Sequence, residues 1–80
     1  MFLHLGANIV IPIRDVIAIT YIKKGKSNIN KEFLDKVYKN KRIIDVSENN
    51  PKSFIVTDDI IYLSAISSLT LKKRAFFRGE

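Results

Sequence analysis

The sequence predicts an α+β fold: a small, mostly antiparallel β-sheet with one central helix and one C-terminal helix. Three observations carry this. Several short apolar segments alternate with the two-residue period of strands or are rich in β-branched residues. Residues 28–40 and 68–77 instead place apolar residues at helical spacing. The resulting order of strands, helix, strands, helix suits segregated elements rather than a regular βαβ alternation. At 80 residues the chain has the length of one domain, spanning 1–80. Its apolar content of 46%, with thirteen Ile, argues against disorder.

The elements follow in order. Phe2 to Leu5 alternates weakly and predicts a short strand, and Gly6-Ala7-Asn8 a turn. Ile9, Ile11 and Ile13 alternate with Asn8, Val10 and Pro12, a half-buried strand. Pro12 has no N–H to donate, which places this strand at an edge, a bulge or a strand end. Val16 to Ile22 resumes the apolar run as a further strand. Lys23-Lys24-Gly25-Lys26 is a loop, and Ser27 or Asn28 can cap the central helix at 28–40. There Ile29, Phe33, Leu34, Val37 and Tyr38 form the apolar stripe, with Glu32–Lys36 and Asp35–Lys39 as i,i+4 pairs. Arg42 to Ser47 is a strand, followed by a turn-rich loop at 48–52. Ser53 to Thr57 and Ile60 to Ser64 form a hairpin around Asp58-Asp59. Ser67 or Ser68 caps the last helix, whose apolar residues are Leu69, Leu71, Ala75 and Phe76.

Val16–Ile19 and Ile60–Leu63 are apolar at consecutive positions, so both faces of these strands are expected to be covered. A neighbouring subunit is the expected second cover, because chains this short seldom stabilise themselves unaided. The alternative is that the two helices cover the second face.

No segment reaches the roughly 18 consecutive apolar residues of a membrane span. The start, Met1-Phe2-Leu3-His4-Leu5-Gly6, lacks the positive region and long apolar stretch of a secretory signal. With no cysteine either, the expected compartment is the cytoplasm.

The formal charge of +6 favours anionic partners. It is uneven: residues 23–42 carry +6, residues 71–80 carry +3, and residues 43–70 carry −3. Lys31, Lys36 and Lys39 are explained by helix pairing. Lys23, Lys24 and Lys26 have no local acidic partner, and neither do Lys72, Lys73 and Arg74. Such lysines can position a protein on a phosphate backbone but carry little sequence information. A solvated face is the plainer reading of each run. Arg14 is more specific, because its planar fork suits phosphate or guanine. A salt bridge to Asp15 or another acid is the alternative.

Catalytic constellations are not found. His4 is the only histidine and has no cysteine to join it in a metal site. Asp58-Asp59 reads as a solvated hairpin tip rather than a carboxylate pair. Gly6, Gly25 and Gly79 are scattered and form no phosphate-cradling loop. No serine lies in a nucleophile elbow. Neither an enzyme, a cofactor nor a small-molecule substrate is expected.

A resemblance adds to this. His4-Leu5-Gly6 with Ile9-Val10, then Arg14 to Ile19, Pro51 to Thr57, Ile61 to Ser64 and Ser67 to Arg74 resemble the bacterial extracellular matrix regulator family, RemA/RemB-like, and within it the RemB branch. The resemblance runs over nearly the whole chain and is most specific from Pro51 to Arg74. It implies a transcription regulator of biofilm matrix genes, with a fold likened to LytTR-type DNA-binding domains. It also implies closed rings that present a repeated basic surface to duplex DNA, a multivalent arrangement. The arginine that follows the second strand in the DNA-binding branch matches Arg14. That branch also has an arginine-rich loop before the strand matching 53–57, whereas here Asn49-Asn50-Pro51-Lys52 leaves only Lys52 basic. The contacts then fall on Arg14, Lys52 and one of the blocks Lys23, Lys24, Lys26 or Lys72, Lys73, Arg74, or this branch binds something else.

Two functional expectations stand side by side. One is an oligomeric DNA-binding regulator. The other is an oligomeric protein-interaction or adaptor module that uses its charge for solubility. A third, an anionic membrane surface, rests on Phe76-Phe77 between Arg74 and Arg78.

Overall fold

The computed structural model describes residues 1–22, 34 and 36–76. Strand β1 (Phe2–Gly6) pairs antiparallel with β2 (Ile9–Pro12). The turn between them is Ala7-Asn8, with φ of 48° and 65° after Gly6 at 103°. Positive φ at both central residues is the requirement of the type I′ hairpin turn, whose twist matches that of the strands. The alternation sorts the side chains: Leu3, Leu5 and Ile11 are buried, while Phe2, His4 and Val10 face solvent. Pro12 does end its strand, as its missing N–H requires.

A 3-10 turn, Ile13–Asp15, follows directly. It is fastened by Ile13 N–H donating to Met1 O and Val16 N–H donating to Ile13 O, both at 3.0 Å. Strand β3 (Ala18–Tyr21) therefore begins two residues later than its apolar run suggests. With β4 (Arg42–Asp45), β5 (Ser53–Val56) and β6 (Ile60–Ser64) it forms a second sheet in the order β3-β5-β6-β4. Two of its three pairings are antiparallel, and β4 runs parallel to β6. The β5–β6 turn is the expected Asp58-Asp59, closed by Thr57 N–H donating to Ile60 O at 2.9 Å.

Helix α1 (Ser68–Phe76) is capped by Ser67, whose Oγ accepts from Thr70 N–H at 3.1 Å. That side chain satisfies one of the free donors of the first turn. Lys73 and Arg74 lie in the last turn, where cations complement the helix dipole. Leu71 and Ala75, four apart, form its buried face, whereas Leu69 and Phe76 are exposed. The four apolar residues thus divide between two faces: at about 100° per residue, position 69 is some 200° from 71.

The helix expected over 28–40 lies mainly outside the described residues. Within it Leu34, Lys36 and Val37 are helical, and Tyr38 N–H donates to Leu34 O at 2.8 Å. Asn40, at φ 70°, ends the run in the left-handed conformation that Asn tolerates after a helix.

The sheet is covered on both faces by this chain. On one side the β1–β2 hairpin and α1 bury Ile19 and Ile55 among Leu3, Leu5, Ile11, Leu71 and Ala75. On the other, Leu34 packs with Phe54, Val56, Ile61 and Leu63, and Tyr38 meets Phe54 edge to face at 6.3 Å. A neighbouring subunit is thus not needed as the second cover. The hairpin, not a second helix alone, completes the pair of layers.

Two buried serines join these layers. Ser53 Oγ donates to Ile66 O at 2.7 Å. Ser64 Oγ donates to Leu5 O at 2.8 Å and accepts from Ile66 N–H at 3.0 Å, tying the hairpin to the sheet. Among the described residues no buried side-chain nitrogen or oxygen lacks a partner, as buried polar groups require.

Candidate nucleic-acid interface

Arg14 is displayed by the 3-10 turn rather than by a strand. The fixed φ of Pro12 (−64°) and the Met1–Ile13 hydrogen bond hold that turn in place. The side chain is exposed and borders a shallow concavity of about 350 Å³ shared with Met1, Phe2, Pro12 and Ile13. Asp15 borders a different concavity, with Asp58 and Asp59. Arg14 makes no ion pair among the described residues. Its fork therefore stands in water beside exposed Met1 and Phe2, an arrangement open to a phosphate or a base edge.

Lys52 is also exposed, but it occupies the other end of the sheet. Its N–H donates to Ser64 O at 2.8 Å, and its carbonyl accepts from Ile22 N–H at 2.9 Å. The backbone is clamped between β3 and β6, and the ammonium is left outward. β3 runs antiparallel to β5 from Ala18 opposite Val56, near Arg14, to Tyr21 opposite Ser53, near Lys52. Arg14 and Lys52 are thus separated by the length of a strand, at least about 10 Å at the usual rise per residue. Lys72, Lys73 and Arg74 are exposed on α1. Lys23, Lys24 and Lys26 lie outside the described residues. Arg14 and Lys52 therefore do not share one end of the sheet.

The loop before β5 has a defined shape. Asp45 accepts from Ser47 N–H (2.8 Å) and Ser47 Oγ through one oxygen, and from Asn49 N–H (3.1 Å) through the other. Asn50 N–H donates to Ser47 Oγ at 3.2 Å. Glu48 and Asn49 take positive φ, 59° and 69°. Glu48, Asn49, Asn50 and Lys52 all face solvent.

One basic residue has a different role from the one its charge suggests. Lys41 Nζ donates to Thr57 O at 2.7 Å and Asp58 O at 2.6 Å, clasping the β5–β6 turn. Nothing in the sequence separates it from the other lysines of its block. Only the parallel docking of β4 on β6 brings it there.

No three His, Cys, Asp or Glu among the described residues converge to hold a metal ion. No described helix is long and apolar enough to cross a membrane. The described residues form a small α+β scaffold with exposed cations, and its buried side-chain polar groups are all hydrogen-bonded within it. Comparison with known proteins identifies the family. Residues 2–75 match the RemA-like family, described as extracellular matrix regulatory protein A-like. The chain is 41% identical over 80 residues to Extracellular matrix regulatory protein B of Bacillus subtilis (strain 168), covering all of this chain and 96% of that one. The chain belongs to this RemA/RemB-like family of bacterial extracellular matrix regulatory proteins, a family of regulators rather than catalysts.

Proposed function

We propose that this chain is a cytoplasmic, homo-oligomeric transcription regulator that binds duplex DNA and controls matrix genes. The observation that carries the reading is Arg14: an exposed guanidinium, without an ion-pair partner among the described residues, on a 3-10 turn fastened by two backbone hydrogen bonds. In one copy Arg14 and Lys52 stand at opposite ends of the sheet. A repeated assembly compensates, because each added copy binds at a raised effective concentration. A LytTR-like mode of binding belongs to the same reading.

Fluorescence anisotropy with labelled duplex DNA tests it. Affinity should fall steeply between about 50 and 200 mM salt, because each neutralised phosphate releases counterions. Arg14→Ala should weaken binding while leaving the melting temperature unchanged. Salt-independent binding, or an Arg14→Ala variant that binds as the parent does, overturns the assignment.

The second reading is an oligomeric adaptor that does not touch DNA. It is favoured by the 48–52 loop, where Asn49 and Asn50 precede a single Lys52 and no arginine is present. Under it, no shift of duplex DNA occurs even at low salt.

A further inference from the structure

The outward face of α1 and a concavity beside β2 are complementary in both charge and apolar character. Helix α1 buries Leu71 and Ala75, packing on β1 and β3. On its opposite side Leu69 and Phe76, seven residues apart, lie within about 20° of one line. They are 63% and 57% exposed, with Lys72 and Lys73 between them. Two large apolar side chains aligned on one helix face form a patch rather than scattered exposure.

The second surface is a concavity of about 360 Å³ where β2 meets the β5–β6 turn. Asp15, Asp58 and Asp59 border it, over apolar walls from Val10, Ile60 and Tyr62. No Lys or Arg lines it among the described residues. The Lys41 ammonium stands nearby but is committed to the Thr57 and Asp58 carbonyls. This is an acidic, partly apolar recess on a chain whose formal charge is +6. The helix packs along the β1 side of the hairpin and the recess lies along β2. The two surfaces share no residue, so one copy can offer both to its neighbours.

We propose that the Leu69–Lys72–Lys73–Phe76 stripe of one copy seats in the Asp15–Asp58–Asp59 recess of a second copy, head to tail. The proposal rests on the oligomeric reading above and specifies its interface. It assigns Lys72 and Lys73 to self-assembly and leaves Arg14 and Lys52 for phosphate. A head-to-tail contact uses two different patches, so it propagates until a ring closes or a filament grows. Opposite charges fix the register, and like charges disfavour the pairing of two basic stripes.

Sedimentation velocity of the full chain, without nucleic acid, tests this. Lys72→Glu/Lys73→Glu and Asp58→Lys/Asp59→Lys should each weaken self-association by at least roughly tenfold, with circular dichroism unchanged. An equimolar mixture of the two variants should regain the parent size, because each reversed patch then meets an opposite one. The interface is overturned when either variant assembles as the parent does, or when the mixture stays dissociated. A parent chain that is monomeric at every concentration overturns the oligomeric reading itself. Leu69→Gln/Phe76→Gln that lose binding to anionic vesicles yet keep the parent size would instead make the stripe a membrane surface, against the proposal.

Discussion

Replacing Ser64 by Ala should destabilise this protein more than its size suggests. The hydroxyl is fully buried and serves two backbone groups, donating to Leu5 O at 2.8 Å and accepting from Ile66 N–H at 3.0 Å. Alanine fits the space but leaves both groups without that partner. A buried carbonyl stripped of its hydrogen bond costs about 1–3 kcal/mol, and a half-buried N–H about 0.5–1.5. The sum is roughly 1.5–4.5 kcal/mol, a large share of the marginal stability of a domain this small. At about 4–8 °C per kcal/mol, the melting temperature should fall by at least about 6 °C. The measurement is thermal and urea unfolding by circular dichroism, parent and variant at one fixed concentration, since assembly would make stability concentration-dependent. Ser67→Ala is the comparison: its hydroxyl caps α1 at the surface, and the loss should be near 1 kcal/mol. If Ser64→Ala costs no more than Ser67→Ala, the buried link between hairpin and sheet does not carry the stability argued for it.

Three further outcomes are expected. Ala7→Asn should stabilise the protein by about 0.5–1 kcal/mol, because Ala7 sits at φ 48° in a turn where Asn accepts the left-handed backbone more readily; a melting temperature that does not rise argues against strain at this turn. Ile55→Ala should cost about 2–5 kcal/mol in urea unfolding, since Ile55 is fully buried beneath the hairpin and α1. Lys41→Met should cost about 1–2 kcal/mol and speed amide exchange at Thr57 and Ile60, because it removes two charge-assisted bonds to the β5–β6 turn while keeping the stem; unchanged exchange there would mean that the clasp is idle.

The strands were legible because each had its own local signal. Alternation gave β1 and β2, β-branched runs gave β3, β4 and β6, and Asp58-Asp59 placed the β5–β6 turn within its two residues. The cap was readable as Ser67 or Ser68, and Ser67 takes the part. What needed long-range information was less accessible. Consecutive apolar residues in Ile60–Leu63 indicate that both faces are covered, but not by what; here the hairpin and the Leu34–Tyr38 segment do it. The parallel placement of β4 on β6 carries no local signal, and neither does the use of Lys41 as a clasp. At the candidate interface, charge showed which residues are cationic. Strand direction alone determined that Arg14 and Lys52 sit at opposite ends of the sheet.

The loop between β4 and β5 divides its labour in a way that matters for how such proteins diverge. Its path is set by the Asp45 carboxylate, the Ser47 hydroxyl and backbone N–H groups. The side chains of Asn50 and Lys52 take no part in those bonds and stand in solvent. Composition at these outward positions is therefore decoupled from folding. Exchanging Asn50 for arginine would change the outward charge on an unaltered frame and at little cost in stability.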